Sequence, residues 1–193
     1  MRTIFWDIDT QLDFMVPAGA LYVPGAEKII GAVGALNLHA ASRNIPVISS
    51  VDAHLEDDVE FKTWPHHCVA GSIGQQKCAA TLLEKRVAIP NRPGSAAIDG
   101  AQQILLEKQT IDVFSNVNLG SLLHQLDAGR HVIYGVVTEI CVMRAALGLS
   151  KSGARVEIVT DAIRSLSDDA SAKAFGDFTA AGCALTTISQ LAI

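Results

Sequence analysis

Apolar runs of strand length alternate with segments of helical periodicity along almost the whole chain. The strand-like runs are Arg2–Ile8, Ile45–Val51, Gln103–Glu107, His131–Val137 and Arg155–Val159, with a short one near Ala184–Ile188. Between them, helical spacing of apolar residues marks Ala26–Ser42, Ser121–Asp127, Glu139–Ser152 and Asp168–Ala181. Strands that read as near-continuous apolar runs, separated by helices, are those of a parallel sheet covered on both faces. The pattern predicts a three-layer α/β/α fold with a central, mainly parallel sheet. A length of 193 residues, 49% of them apolar, suits a single domain spanning 1–193.

Composition narrows the function classes. The net charge of −5 is mild, with no Lys/Arg run and no interleaving of basic and aromatic residues, so no nucleic-acid partner is expected. No apolar stretch approaches the roughly 20 residues needed to cross a bilayer, so no membrane partner is expected. The N-terminus runs almost at once into a strand that ends in acidic residues, unlike a signal peptide. Cys68, Cys78, Cys141 and Cys183 lack CxxC spacing and disulfide density, which predicts reduced thiols and a cytoplasmic location. Gly31/Gly34 and Gly71/Gly74 lack the spacing of a phosphate-binding loop, so no nucleotide cofactor is expected.

Reactive residue types fall repeatedly where strand runs stop. Parallel α/β folds bind ligands outside the carboxyl ends of their strands, so this repetition marks one pocket. Cys141 follows His131–Val137, and Thr138 is placed to cap the next helix. That setting would favour a thiolate and offer N–H groups to an oxyanion. Asp9 ends the first run, with Asp7 one alternation earlier. Both share side-chain parity, and Asp9, nearer the carboxyl end, is the chosen base for a thiol nucleophile. Lys108 ends the third run and can stabilise charge beside a carboxylate and a thiol, with Lys85 as competitor. Asp52, His54 and His67 are common ligands of divalent transition metals, and Asp57, Asp58 and Glu60 lie between them. Ala53–Gly100 reads as an elaborated loop region of the kind that builds sites or subunit contacts.

Taken together these strings resemble the nicotinamidase/isochorismatase-like cysteine hydrolases. Asp9-Thr-Gln-Leu-Asp-Phe14 is similar to the D-x-Q-x-D-F opening, and Gly19-Ala-Leu21 with Val23-Pro-Gly-Ala26 follows it as in the family. Asp52-Ala-His54 and Trp64-Pro-His-His67-Cys68 resemble the D-x-H and W-P-x-H-C metal motifs. Lys108 with Asp112-Val-Phe114 resembles the lysine segment, and Gly135-Val-Val-Thr-Glu-Ile-Cys141-Val the nucleophile loop.

The resemblance implies a triad of Asp9, Lys108 and Cys141 that hydrolyses a small carboxamide through a thioester. It also implies a cis peptide between Val136 and Val137, and an oxyanion hole from the N–H groups of Val137 and Cys141. Phe14 and Trp64 fall where the family places the aromatic walls of its substrate pocket. One divalent metal (Zn, Fe or Mn) is implied on Asp52, His54 and His67. Glu60 takes the place of a third histidine, and glutamate ligates the same metals. Family members commonly associate, so a homo-oligomer is expected. Nicotinamide is the first substrate to try. N-carbamoyl hydrolysis by the same triad, or a silent ligand-binding member, are the alternatives. Vinyl-ether hydrolysis is disfavoured by the presence of Cys141.

Overall fold

Seven strands form one sheet, and every neighbouring pair is parallel. They are β1 (Thr3–Ile8), β2 (Val47–Asp52), β3 (Arg86–Ile89), β4 (Gln103–Lys108), β5 (Arg130–Val136), β6 (Arg155–Arg164) and β7 (Ala184–Thr186). This computed structural model describes residues 1–94 and 97–191. The spatial order is β3-β4-β2-β1-β5-β6-β7. The chain therefore starts in the middle of the sheet, builds outward to one edge, then returns to build the other from β5. A crevice opens where that order reverses, outside the carboxyl ends of β1 and its neighbours.

The helices are α1 (Leu12–Met15), α2 (Ile30–Ser42), α3 (Leu119–Leu126), α4 (Met143–Ser150) and α5 (Asp168–Ala180). The Ser167 side chain caps α5 by accepting from Ala170 N–H at 3.2 Å. The central strands are buried along nearly their whole length, as their apolar runs require, with Trp6, Ile8, Ile48, Ile104 and Ile133 among the core residues. No helix among the described residues is long and apolar enough to cross a membrane.

Three elements differ from the sequence expectation. Strand β3 lies inside the stretch read as loops. It is a short edge strand with only Ile89 buried, so it carries no apolar run. Strand β6 continues past Val159 to Arg164, where its register against β5 shifts between Ile133 and Gly135. Polar Thr160 and Asp161 interrupt the apolar pattern there. The helix expected over Glu139–Ser152 is a single π turn, Thr138–Val142, followed by α4. Single π turns concentrate at functional sites.

Gly135 lets β5 press against β1. Its φ of +113° suits glycine alone, and a Cβ there would overlap the Ile8 carbonyl.

Candidate active site

Strands β1, β2 and β4 deliver three charged side chains to one buried point. Asp9 follows β1 in a left-handed conformation (φ 51°), with its N–H bonded to the Ser50 carbonyl of β2 at 3.2 Å. Its Oδ1 accepts from the Ser50 hydroxyl at 2.6 Å. Asp52 and Lys108 end β2 and β4 and are register partners. Lys108 is wholly buried. Its Nζ pairs with Asp52 Oδ1, lies 2.9 Å from Asp9 Oδ2, and donates to Cys141 Sγ at 3.8 Å. The Asp9–Lys108 contact is an ion pair without hydrogen-bond geometry, so Asp9 Oδ2 has no hydrogen-bond partner among the described residues.

Cys141 reaches this point from the π turn after β5, and the Val136–Val137 peptide at its base is cis. The predicted trio of Asp9, Lys108 and Cys141 is thus brought together. Asp7 is held elsewhere, by Lys77 at 2.9 Å, and Lys85 is exposed.

Charge in this cluster is set by burial against pairing. Burial opposes the ammonium of Lys108, but Asp52 and Asp9 outweigh it and hold its pKa well above the usual lysine value. Burial likewise opposes ionisation of Asp52, yet Lys108, His54 and His67 keep its carboxyl well below the usual range. Asp9 moves the other way. Burial, joined by the charge of Asp52, raises it more than Lys108 and Ser50 lower it. Cys141 is pushed well above the usual thiol value, first by burial and then by Asp9 and Asp52, against the pull of Lys108.

Local position at a helix start favours a thiolate, and the surroundings of the sulfur oppose it. The sulfur is buried beside two carboxylates, and both burial and those charges raise its pKa. The expected cap by Thr138 is corrected: Val137 holds the cap position, and the buried Thr138 Oγ1 accepts from no backbone N–H among the described residues.

Asp52 also faces a second group. One ligand atom from each of Asp52, His54 and His67 lies within 4.8 Å of the others, and all three residues are buried. His54 Nδ1 is 3.0 Å from Asp58 Oδ2, and His67 Nδ1 is 2.7 Å from the Pro65 carbonyl. Donation from both Nδ1 atoms leaves both Nε2 atoms with lone pairs. These lie 3.7 Å and 3.6 Å from Asp52 Oδ2. His54 Nε2 is buried with no hydrogen-bond partner among the described residues. Two imidazoles with fixed tautomers and one carboxylate fit a divalent transition metal. Glu60 is outside this trio and lies on the wall of the adjoining cleft, where burial and Asp52 raise its pKa.

That cleft encloses about 380 Å³, its mouth included. Phe14, Leu21, Val23, Trp64 and Leu166 give it apolar walls, while Asp52, Glu60, His67, Val137 and Cys141 line it too. Both aromatic residues singled out in the sequence are present. Cys68 is not among the metal-ligating trio; its N–H donates to Asp13 Oδ2 at 2.6 Å.

Sequence reasoning did not find Ser50, Gln11 or the role of Asp58. Gln11 spans Asp52, donating to its carbonyl at 2.8 Å and accepting from its N–H at 2.7 Å. Gln11 left a trace as the glutamine of the D-x-Q opening, and Asp58 as an acidic residue between His54 and His67.

A covered parallel sheet with reactive side chains gathered at its switch point defines a parallel α/β enzyme. The Isochorismatase domain profile matches residues 4–190, and the chain belongs to that family of hydrolases. Its relatives include the nicotinamidase of Escherichia coli (strain K12), 25% identical over 204 residues that cover 95% of this chain and 93% of that one. Among solved structures, the pyrazinamidase of Pyrococcus horikoshii in complex with zinc superposes with a TM-score of 0.83. It is 24% identical, over 97% of this chain and 100% of that one. The N-carbamoylsarcosine amidase from Thermoplasma acidophilum superposes with a TM-score of 0.77 at 22% identity, over 97% of this chain and 96% of that one.

Proposed function

We propose that this chain is a metal-containing cysteine amidohydrolase that converts a small carboxamide to its acid and ammonia, with nicotinamide or a related amide as substrate. The observation that carries the reading is the convergence of buried Asp9 and Lys108 on Cys141, which lines a narrow apolar cleft.

Asp9, whose Oδ2 has no hydrogen-bond partner among the described residues, takes the thiol proton as sulfur attacks the carboxamide carbon. The electron pair of the C=O bond moves to oxygen, where the N–H groups of Val137 and Cys141 receive it. Lys108 offsets the charge passing between sulfur and carboxylate. Protonated Asp9 then gives its proton to the amide nitrogen, the C–N bond breaks, and ammonia leaves a thioester on Cys141. Water adds to the thioester as Asp9 takes its proton, and the return of that proton to sulfur releases the acid.

Asp52, His54 and His67 would hold the metal, with Glu60 as a further ligand from the cleft wall. A divalent metal there supplies a Lewis-acid anchor for a donor atom of the substrate. Phe14 and Trp64 would sandwich the apolar part of the amide and exclude water. The reading extends to a single-domain cytoplasmic enzyme that forms homo-oligomers.

Ammonia release from nicotinamide, pyrazinamide and carbamoyl amino acids tests it. Turnover of at least one amide by the wild type, lost in a folded Cys141→Ala variant, is expected. No release from any of them would refute amide hydrolysis. A preference for the carbamoyl compounds would shift the substrate class while keeping the triad.

A further inference from the structure

Outside the cleft lies a buried ion pair that the proposed chemistry does not use. Lys77 Nζ sits 2.9 Å from Asp7 Oδ2, with both side chains almost fully buried. Asp7 Oδ2 also accepts from Asn37 Nδ2 at 2.8 Å and from the Ser49 hydroxyl at 3.2 Å. Ser49 accepts from Gln103 Nε2 at 2.8 Å, and Asn37 Oδ1 accepts from the Tyr134 hydroxyl at 2.6 Å. Asp7, Ser49, Gln103 and Tyr134 belong to β1, β2, β4 and β5. The carboxyl ends of those same four strands supply Asp9, Asp52, Lys108 and the turn bearing Cys141. In the sheet, Asp7 stands in register between Ser49 and Tyr134.

The pair also grips the turn above it. The Thr10 hydroxyl donates to Asp7 Oδ1 at 2.7 Å and accepts from Lys77 Nζ. Thr10 stands between Asp9 and Gln11, the residue that spans Asp52. The segment carrying Lys77 runs antiparallel to this turn, with Cys78 N–H on the Thr10 carbonyl at 3.0 Å and Leu12 N–H on the Gln76 carbonyl at 2.8 Å.

We propose that Lys77 and Asp7 are positioning residues of the hydrolytic site, fixing the Asp9–Gln11 turn from beneath and, through Gln11, the placement of Asp52. The inference rests on the function proposed above, and its test needs no turnover. Two readouts are taken on folded protein well below its melting temperature: zinc affinity by competition with a chromophoric chelator, and the pH midpoint of Cys141 alkylation by iodoacetamide. Lys77→Met should weaken zinc binding at least about tenfold, as loss of outer support does at metal sites, and should move the alkylation midpoint. Thr10→Val, which cuts the link but leaves the ion pair, should do the same to a smaller degree. The paired replacement Asp7→Asn with Lys77→Gln, which keeps hydrogen-bonding groups at both positions, should recover most of the loss.

A merely structural pair would lower the melting temperature and leave both readouts where they were. Wild-type zinc affinity and alkylation midpoint in folded Thr10→Val and Lys77→Met would overturn the proposal. If Lys77→Met does not fold, Thr10→Val decides alone. If wild-type protein binds no zinc, the alkylation midpoint decides. Wild-type protein that hydrolyses no amide would refute the proposed function while leaving this test readable.

Discussion

Asp52 and Lys108 are register partners on adjacent parallel strands, and their side chains pair inside the protein. The pair joins the two halves of the site. One Asp52 oxygen takes the ammonium that also touches Asp9 and Cys141, and the other faces the imidazoles of His54 and His67. One carboxylate thus lies between the metal-type trio and the ammonium that touches the thiol. Removing Lys108 leaves the buried carboxylates of Asp52 and Asp9 without their cation, at a cost of about 3–5 kcal/mol.

In the proposed mechanism Asp9 sets the acid side of the pH profile. Its carboxyl is raised above the ordinary 3.8, mainly by burial, and it accepts the thiol proton only when ionised. Activity should fall as pH drops through a midpoint above 3.8. Asp9→Asn should lower kcat by on the order of 10²–10⁴-fold and remove that limb from the profile of kcat/KM. An unchanged acid limb in Asp9→Asn would assign it to another group.

Asp58 holds the His54 tautomer from outside the trio. Asp58→Asn should weaken zinc binding by roughly 10–100-fold, with the far-ultraviolet circular dichroism unchanged. Chelator competition reads the difference directly. Equal affinity in the two proteins would mean that His54 does not ligate through Nε2.

Gly135 sits where β5 presses on β1, one residue before the cis peptide. Gly135→Ala adds a methyl group in a left-handed conformation against the Ile8 carbonyl. Unfavourable φ and overpacking together should cost about 2–5 kcal/mol, read from urea denaturation. A variant as stable as wild type would show that β5 can move away from β1 freely.

His131 makes stability depend on pH. Burial depresses its pKa from 6.5 to about 4, and its Nδ1 accepts from Trp6 Nε1 at 3.1 Å. The unfolded chain takes up a proton near pH 6.5 while the folded chain does not. This contribution is therefore complete above pH 6.5 and lost progressively as pH falls towards 4. His131→Gln, which can still accept from Trp6, should flatten the fall in urea midpoint across that window. An identical slope in both proteins would place the titration elsewhere.

How far the sequence could be read follows from where each signal lies along the chain. Strands β1, β2, β4, β5 and β6 are legible because buried parallel strands are continuous apolar runs. Strand β3 is an exposed edge of four residues and leaves no such mark. Asp9, Lys108 and Cys141 are legible because each follows or ends a run at the carboxyl edge of the sheet. Ser50 and Gln11 are not, because each acts on a residue 41 positions away, at a contact created only by the β1–β2 pairing. The forces that raise the pKa of Cys141 are hidden for a related reason. Local position suggested a helix N-terminus, while the deciding factors, burial and two carboxylates, come from other strands.

The most direct measurement is ammonia release plotted against the fraction of Cys141 alkylated, with the modified cysteine identified by peptide mass spectrometry. Activity should fall in proportion and reach zero when one equivalent sits on Cys141, while Cys68, Cys78 and Cys183 remain free. Undiminished ammonia release from fully alkylated Cys141 would contradict the mechanism.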